Sequence, residues 1–273
     1  MKFRLQALGL FASALALGGC AMNAPSSAPT RDIRLTYAMP EAEGKQIPYR
    51  VYLPQGWSAA KPWPLVVVLH GYGATADQPF DEAAGLLQRE ADKHGFVLLS
   101  PNGYNGMADY GANLPLPSVL PRSGPPLAMT PQDESRLAQA DVLHVLERTV
   151  KDYRIDARRI YLMGNSMGMT GVLHFARMMP ERWCAISASG GPPWPDYPVE
   201  RLRPLSGALF VHGGRDNLAK VADTQRLTER AKAAGVDARM QVMPEGTHGN
   251  AWAQYLPETF AFFDERLCSG PSR

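Results

Sequence analysis

A chain of 273 residues with 45% hydrophobic side chains can bury a sizeable core, and α/β folds commonly spend that much chain on one domain. Its net charge of +2 is too small and too evenly spread for a nucleic-acid or polyanion footprint.

The first segment, MKFRLQALGLFASALALGGC, has a basic start at Lys2 and Arg4, an apolar run and a small-residue end. That is the anatomy of an export signal over residues 1–19, too short for a spanning helix. Its end, Leu17-Gly18-Gly19-Cys20, resembles the lipobox of bacterial lipoproteins, which implies that Cys20 is lipidated and becomes the mature N-terminus. Simple secretion with an incidental Cys20 is the alternative. Residues 20–31 are small, polar and rich in Pro and Ser, as suits a flexible tether. No aspartate follows Cys20 directly, which in Gram-negative lipoproteins implies the outer membrane, facing the periplasm. The lipid is then the only expected membrane contact.

From Asp32 to the end the sequence reads as a single domain. Residues 33–38 and 47–53 alternate apolar with polar side chains, as antiparallel opening strands do. Residues 64–69 and 96–99 are continuous apolar runs, expected for parallel strands covered on both faces. Further runs follow at 159–163, 185–188, 208–211 and 238–242, and helical patterns fill 81–94, 135–152, 167–179, 220–234 and 252–267. Such alternation predicts an α/β fold: a mostly parallel central sheet with right-handed crossovers, flanked by helices, whose ligand site lies at the carboxyl ends of the strands. The proline-rich stretch 103–132 would overhang that site as a lid-like loop, or it is a plain surface insertion. Of the cysteines, Cys184 and Cys268 either pair as a disulfide, tying the last helix to a strand, or pack as free thiols.

The chemistry concentrates around YLMGNSMGMTG, residues 161–171. Glycine occupies 25 of 273 positions, so a serine flanked by Gly164 and Gly168 carries little weight alone. Ser166, however, directly follows an apolar strand and directly precedes a helix, the context of a nucleophile elbow. A serine hydroxyl needs a base to take its proton and a carboxylate to orient that base. His94, His144 and His174 fall within helices, whereas His70 and His212 end strands where the backbone turns into glycine. His248, in the loop after the last strand, is the best base. Asp216 lies just beyond a strand's carboxyl end on the same rim, with Glu245 and Asp196 as fallbacks. The order Ser166, Asp216, His248 is that of α/β-hydrolases. An oxyanion formed at Ser166 needs donors, each commonly worth about 3 kcal/mol. The backbone N–H of Met167 is one candidate, and that of Tyr72, in the glycine-rich turn His70-Gly71-Tyr72-Gly73, is the other. The same turn, GYGATA, formally fits a dinucleotide fingerprint, but the next strand runs into Ser100-Pro101-Asn102 where a ribose-binding acid should stand. Neither a P-loop nor Cys or His at metal-ligand spacing occurs, so neither a cofactor nor a metal is expected.

The segments LPQGW (53–57), LHGYG, PNGYN (101–105), DVLHVLERTVKDYRID, RRIYLMGNSMG, HGGRD and GTHG resemble exported α/β-hydrolases of the esterase type. Those are the relatives of polyhydroxybutyrate depolymerases, feruloyl esterases and prolyl-oligopeptidase-like peptidases. The resemblance implies a triad of Ser166, Asp216 and His248, oxyanion amides at Tyr72 and Met167, and cleavage of carboxylic esters through an acyl-enzyme. Met169 departs from the Ser-Met-Gly-Gly that these families usually show. A peptidase acting on short peptides shares the chemistry and is the alternative; a catalytically silent binding lipoprotein is the rival from another class. Trp194, Tyr197, Tyr104 and Tyr110 either rim the pocket or anchor loops. The expected partner is a small or oligomeric ester substrate.

Overall fold

The computed structural model describes residues 31–113, 129–192 and 194–268. The leader over 1–19, Cys20, the tether up to residue 30 and positions 114–128 of the proline-rich stretch lie outside the described residues.

Among these residues one sheet of 8 strands organises the chain, in the order β1-β2-β4-β3-β5-β6-β7-β8. The strands are β1 (Asp32–Met39), β2 (Lys45–Tyr52), β3 (Trp63–Leu69), β4 (Val97–Pro101), β5 (Ile155–Asn165), β6 (Ala185–Ser189), β7 (Gly207–Gly213) and β8 (Ala238–Met243). β1 and β2 pair antiparallel, β2 pairs antiparallel with β4, and every other pairing is parallel. Both the antiparallel opening and the parallel remainder were expected from the change in apolar pattern. The reason is visible in β3, where every side chain is buried. Leu65, Val67 and Leu69 face one layer and Val66 and Val68 the other, as the two-residue period of a strand requires. Each such side chain contributes about 1.5–3 kcal/mol by leaving water.

One layer holds α3 (Pro131–Asp152), α4 (Met167–Met178) and α5 (Val221–Ala233); the other holds α1 (Gln78–Glu82), α2 (Leu86–His94), α6 (Ala251–Gln254) and α7 (Leu256–Asp264). Three helices differ from expectation. The segment 81–94 is two helices, because Ala84 and Gly85 adopt φ of 47° and 79°. The segment 252–267 breaks at Tyr255, since Pro257 at the start of α7 has no N–H to continue a helical ladder, and α7 ends at Asp264. α3 begins at Pro131, before the expected 135, capped by Thr130, whose Oγ1 accepts the Asp133 N–H at 3.1 Å.

Cys184 immediately precedes β6, and Cys268 follows α7. Both are free thiols. The Cys268 thiol donates to Trp183 O at 3.9 Å and the Cys184 thiol to Arg266 O at 3.8 Å; the interaction between the two neighbouring thiols holds Cys184 below its usual range while Cys268 is raised.

Candidate active site

β5 lies beside β3 (Leu69 opposite Gly164) and β6 (Asn165 opposite Ser189), so the chain leaves the middle of the sheet at its carboxyl edge. It then turns into α4 within one residue. Ser166 takes φ 60° and ψ −121°, a conformation that costs a non-glycine residue about 1–3 kcal/mol. The surroundings hold it there: the Ser166 N–H donates to Ser189 O at 2.8 Å, and Ser166 O accepts the Met169 N–H at 2.9 Å. The flanking glycines are steric necessities. A Cβ on Gly164 would lie 2.6 Å from Gly168 O, and one on Gly168 would lie 2.2 Å from Leu69 O.

The loops after β7 and β8 bring the other two residues to this elbow. The Ser166 hydroxyl donates to His248 Nε2 at 2.9 Å, and His248 Nδ1–H donates to Asp216 Oδ2 at 2.9 Å; the tautomer is assigned from these neighbours. Asp216 has no exposed side-chain surface. Its Oδ1 accepts the amides of Leu218 at 2.8 Å and Ala219 at 2.9 Å, so the carboxylate is oriented by its own turn before His248 reaches it. Asn165 Nδ2 donates to His248 O at 3.3 Å. Gly190, at φ 60°, leaves room above the pair: a Cβ there would lie 2.9 Å from Asn165 Oδ1 and 3.5 Å from Asp216 Oδ2.

The remaining candidates stand elsewhere. Glu245 pairs with Arg215 on the surface, and Asp196 is exposed. His94 meets Asp264 at 3.3 Å, His144 meets Glu41 at 2.9 Å and His174 meets Gln139 at 2.9 Å. His70 is buried between Gly71 O and Asn102 O.

Both candidate oxyanion amides sit beside Ser166. Met167 N–H opens α4, where backbone donors have no intrahelical partner. The turn carrying Tyr72 abuts the serine, since a Cβ on Gly71 would lie 3.7 Å from Ser166 Cβ. Neither amide donates to another group of the described residues. The turn is braced on both sides, with Gln78 Oε1 accepting the Gly71 N–H at 2.8 Å and Gly73 N–H donating to Gly106 O at 2.8 Å. Gln78 and Asn165 escaped the sequence reading, and no signal in the sequence marked either.

Met169 is fully buried, and its Sδ accepts the Gly191 N–H at 3.2 Å. A Cβ on Gly191 would come within 2.7 Å of Met169 Cβ, so a glycine opposite makes room for the unusual methionine. Three of the four aromatics act as loop anchors. Tyr110 and Tyr197 are fully buried and Tyr104 nearly so; Tyr110 OH donates to His70 O at 3.2 Å, and Tyr197 OH donates to Leu173 O at 2.9 Å. Trp194 is half-buried under the Arg177 guanidinium, 4.7 Å from the ring centre.

The profile of the dienelactone hydrolase family matches residues 50–256, a span that runs from β2 to the start of α7 and contains all three residues of the hydrogen-bonded chain. The protein belongs to the dienelactone hydrolase family. Feruloyl esterase B of Neurospora crassa is 32% identical to this family member over 135 residues, 49% of this chain and 40% of that one. The bifunctional acetylxylan esterase/xylanase XynS20E of Neocallimastix patriciarum is 25% identical over 183 residues, 67% of this chain and 23% of that one. The chain thus spans less than half the length of either curated relative. An S-formylglutathione hydrolase from Agrobacterium tumefaciens superposes with a TM-score of 0.67 at 18% identity, covering 86% of this chain and 95% of that one. The likeness is one of fold: this dienelactone hydrolase family member has the α/β-hydrolase fold.

Proposed function

We propose that the protein is a serine hydrolase that cleaves carboxylic esters through an acyl-enzyme. The observation that carries this reading is the unbroken chain Ser166 Oγ, His248, Asp216 at the carboxyl edge of the sheet, with Ser166 held in a strained elbow. In this reading His248 Nε2 takes the Ser166 proton as Oγ attacks the ester carbonyl. The oxyanion is received by the N–H groups of Met167 and Tyr72, and the His248 imidazolium, stabilised by Asp216, gives its proton to the leaving alkoxide. Water then repeats the sequence on the acyl-enzyme. The curated relatives named as feruloyl and acetylxylan esterases support esters of small aliphatic or aryl acids as the substrate class. The leader and Cys20 support delivery of the domain to the periplasmic face of the outer membrane as a lipoprotein; Cys20→Ala is expected to leave it unlipidated, read by mass spectrometry.

The test is hydrolysis of p-nitrophenyl esters from acetate to octanoate, and of a feruloyl ester, by the purified protein and by Ser166→Ala, alongside fluorophosphonate labelling. Activity and labelling are expected in the wild type alone. Labelling without ester turnover would redirect the substrate toward peptides, and absence of both in folded protein would refute the hydrolase reading.

A further inference from the structure

His212, in β7, is completely enclosed, and none of the roles assigned above uses it. Its Nδ1 lies 2.9 Å from Thr224 Oγ1 on α5. Its Nε2 lies 3.2 Å from Ala219 O and 3.3 Å from Asp216 Oδ2. Both neighbours of Nε2 are pure acceptors, so Nε2 carries the proton; the Thr224 hydroxyl then donates to Nδ1. Thr224 is itself enclosed, and this arrangement satisfies both partners.

The geometry acts on Asp216 in two ways. The Nε2–H is hydrogen-bonded to Ala219 O, and Ala219 is one of the two residues whose amide holds Asp216 Oδ1. Thr224, His212 and Ala219 therefore form a frame behind the carboxylate. In addition, the positive N–H edge of the ring faces Oδ2, the oxygen that accepts from His248. In a fully enclosed site such a dipole is screened little by solvent.

We propose that His212 is a positioning residue for the acid: its Nε2–H braces the 216–219 turn and competes with His248 for the charge on Asp216 Oδ2. This rests on the reading of Ser166, His248 and Asp216 as a triad. Removing the N–H leaves more of the carboxylate charge to His248, favouring its protonated form. The acid limb of kcat/KM then moves to higher pH. The other charged groups near the pair are Glu82 on α1, in electrostatic reach of His248, and the mutually paired Arg215 and Glu245 in the loops after β7 and β8.

The experiment compares the wild type with His212→Phe, His212→Gln and Thr224→Val by the pH profile of kcat/KM on p-nitrophenyl acetate. In parallel, the His248 imidazole is titrated by NMR in histidine-labelled protein. The phenylalanine variant is expected to move both midpoints upward by about one pH unit. Glutamine, which keeps a neutral N–H donor, is expected to stay close to wild type, and Thr224→Val to move in the same direction by less. Unmoved midpoints in His212→Phe and Thr224→Val, with only a loss of thermal stability, would reduce His212 to packing and overturn the proposal. So would a glutamine variant that shifts as far as phenylalanine. If His212→Phe does not fold, the other two variants decide. An NMR midpoint that moves in His212→Phe when the wild type itself hydrolyses no ester would sink the proposed activity and leave the role of His212 standing.

Discussion

Asp216→Asn isolates the part of the site that geometry, and not charge alone, controls. Asp216 Oδ1 accepts two amides at 2.8 and 2.9 Å, and an amide NH2 placed there would face two donors. The asparagine is therefore forced to keep its oxygen at Oδ1 and present its Nδ2 where Oδ2 stands, 2.9 Å from His248 Nδ1. Nδ2 can only donate, so His248 must accept at Nδ1 and carry its proton on Nε2, facing Ser166. In the proposed mechanism the base is then blocked at the atom that has to receive the serine proton. A tautomer error of this kind costs a Ser-His-Asp enzyme about 10,000-fold in kcat, equivalent to about 5 kcal/mol of barrier. The same Nδ2 would also meet the donor edge of His212, 3.3 Å away, adding a stability cost of about 1–3 kcal/mol for buried donors facing each other. The assay is kcat/KM on p-nitrophenyl acetate across pH, with Ser166→Ala as the floor and urea unfolding to track stability. Asp216→Asn retaining more than about a tenth of wild-type kcat/KM would refute the reasoning, since no tautomer block of this kind leaves so much.

Gly168→Ala places a Cβ 2.2 Å from Leu69 O and 2.9 Å from Leu69 C, backbone atoms that no rotamer can clear. α4 must lift off β3, with an expected loss above about 3 kcal/mol and of ester turnover; an unchanged Tm would contradict the close packing. Burial, with a smaller contribution from Arg177, holds the His174 imidazole down at about 4 against an ordinary 6.5. A folded value below the unfolded one means that the stability is present above pH 6.5 and is lost as pH falls toward 4, amounting to about 3 kcal/mol. Urea unfolding at several pH values should show this slope in the wild type and a flatter one in His174→Gln, and equal slopes would dismiss it. The contact between the Cys184 and Cys268 thiols predicts that a mild disulfide oxidant links them within one chain, losing two hydrogens in mass and raising Tm. Persistently free thiols, or cross-linked dimers in their place, would count against it.

The strands were legible because burial on two faces leaves a mark that needs no partner to interpret: Leu65 to Leu69 is apolar throughout since both layers cover it. The helix breaks were harder. Ala83-Ala84-Gly85 continues a helical composition, and only the φ of 47° at Ala84, a property imposed by packing, separates α1 from α2. The start of α3 was marked all along by Thr130 and Pro131, a capping residue before a proline, but it was masked by the proline-rich stretch around it.

The site divides along the same line. Ser166, Asp216 and His248 could be nominated because the proposed chemistry restricts residue type and the fold restricts place: each must lie just past the carboxyl end of a strand. Their supports obey no such restriction. Gln78 acts on Gly71, His212 on Ala219 and Asp216, and Asn165 on His248 across 83 positions of sequence, and any side chain with a suitably placed donor or acceptor could have served. What selects these residues is the match between a local backbone group and a distant side chain, and that match exists only once the sheet has brought the loops together. For the same reason Tyr104, Tyr110 and Tyr197 read equally well as pocket rim or anchor: an aromatic ring's apolar area is plain in the sequence, but whether it faces substrate or core depends on which backbone carbonyl its hydroxyl meets. In Tyr110 that carbonyl is His70 O, at the root of the turn that carries the Tyr72 amide, so the residue shapes the site from behind it.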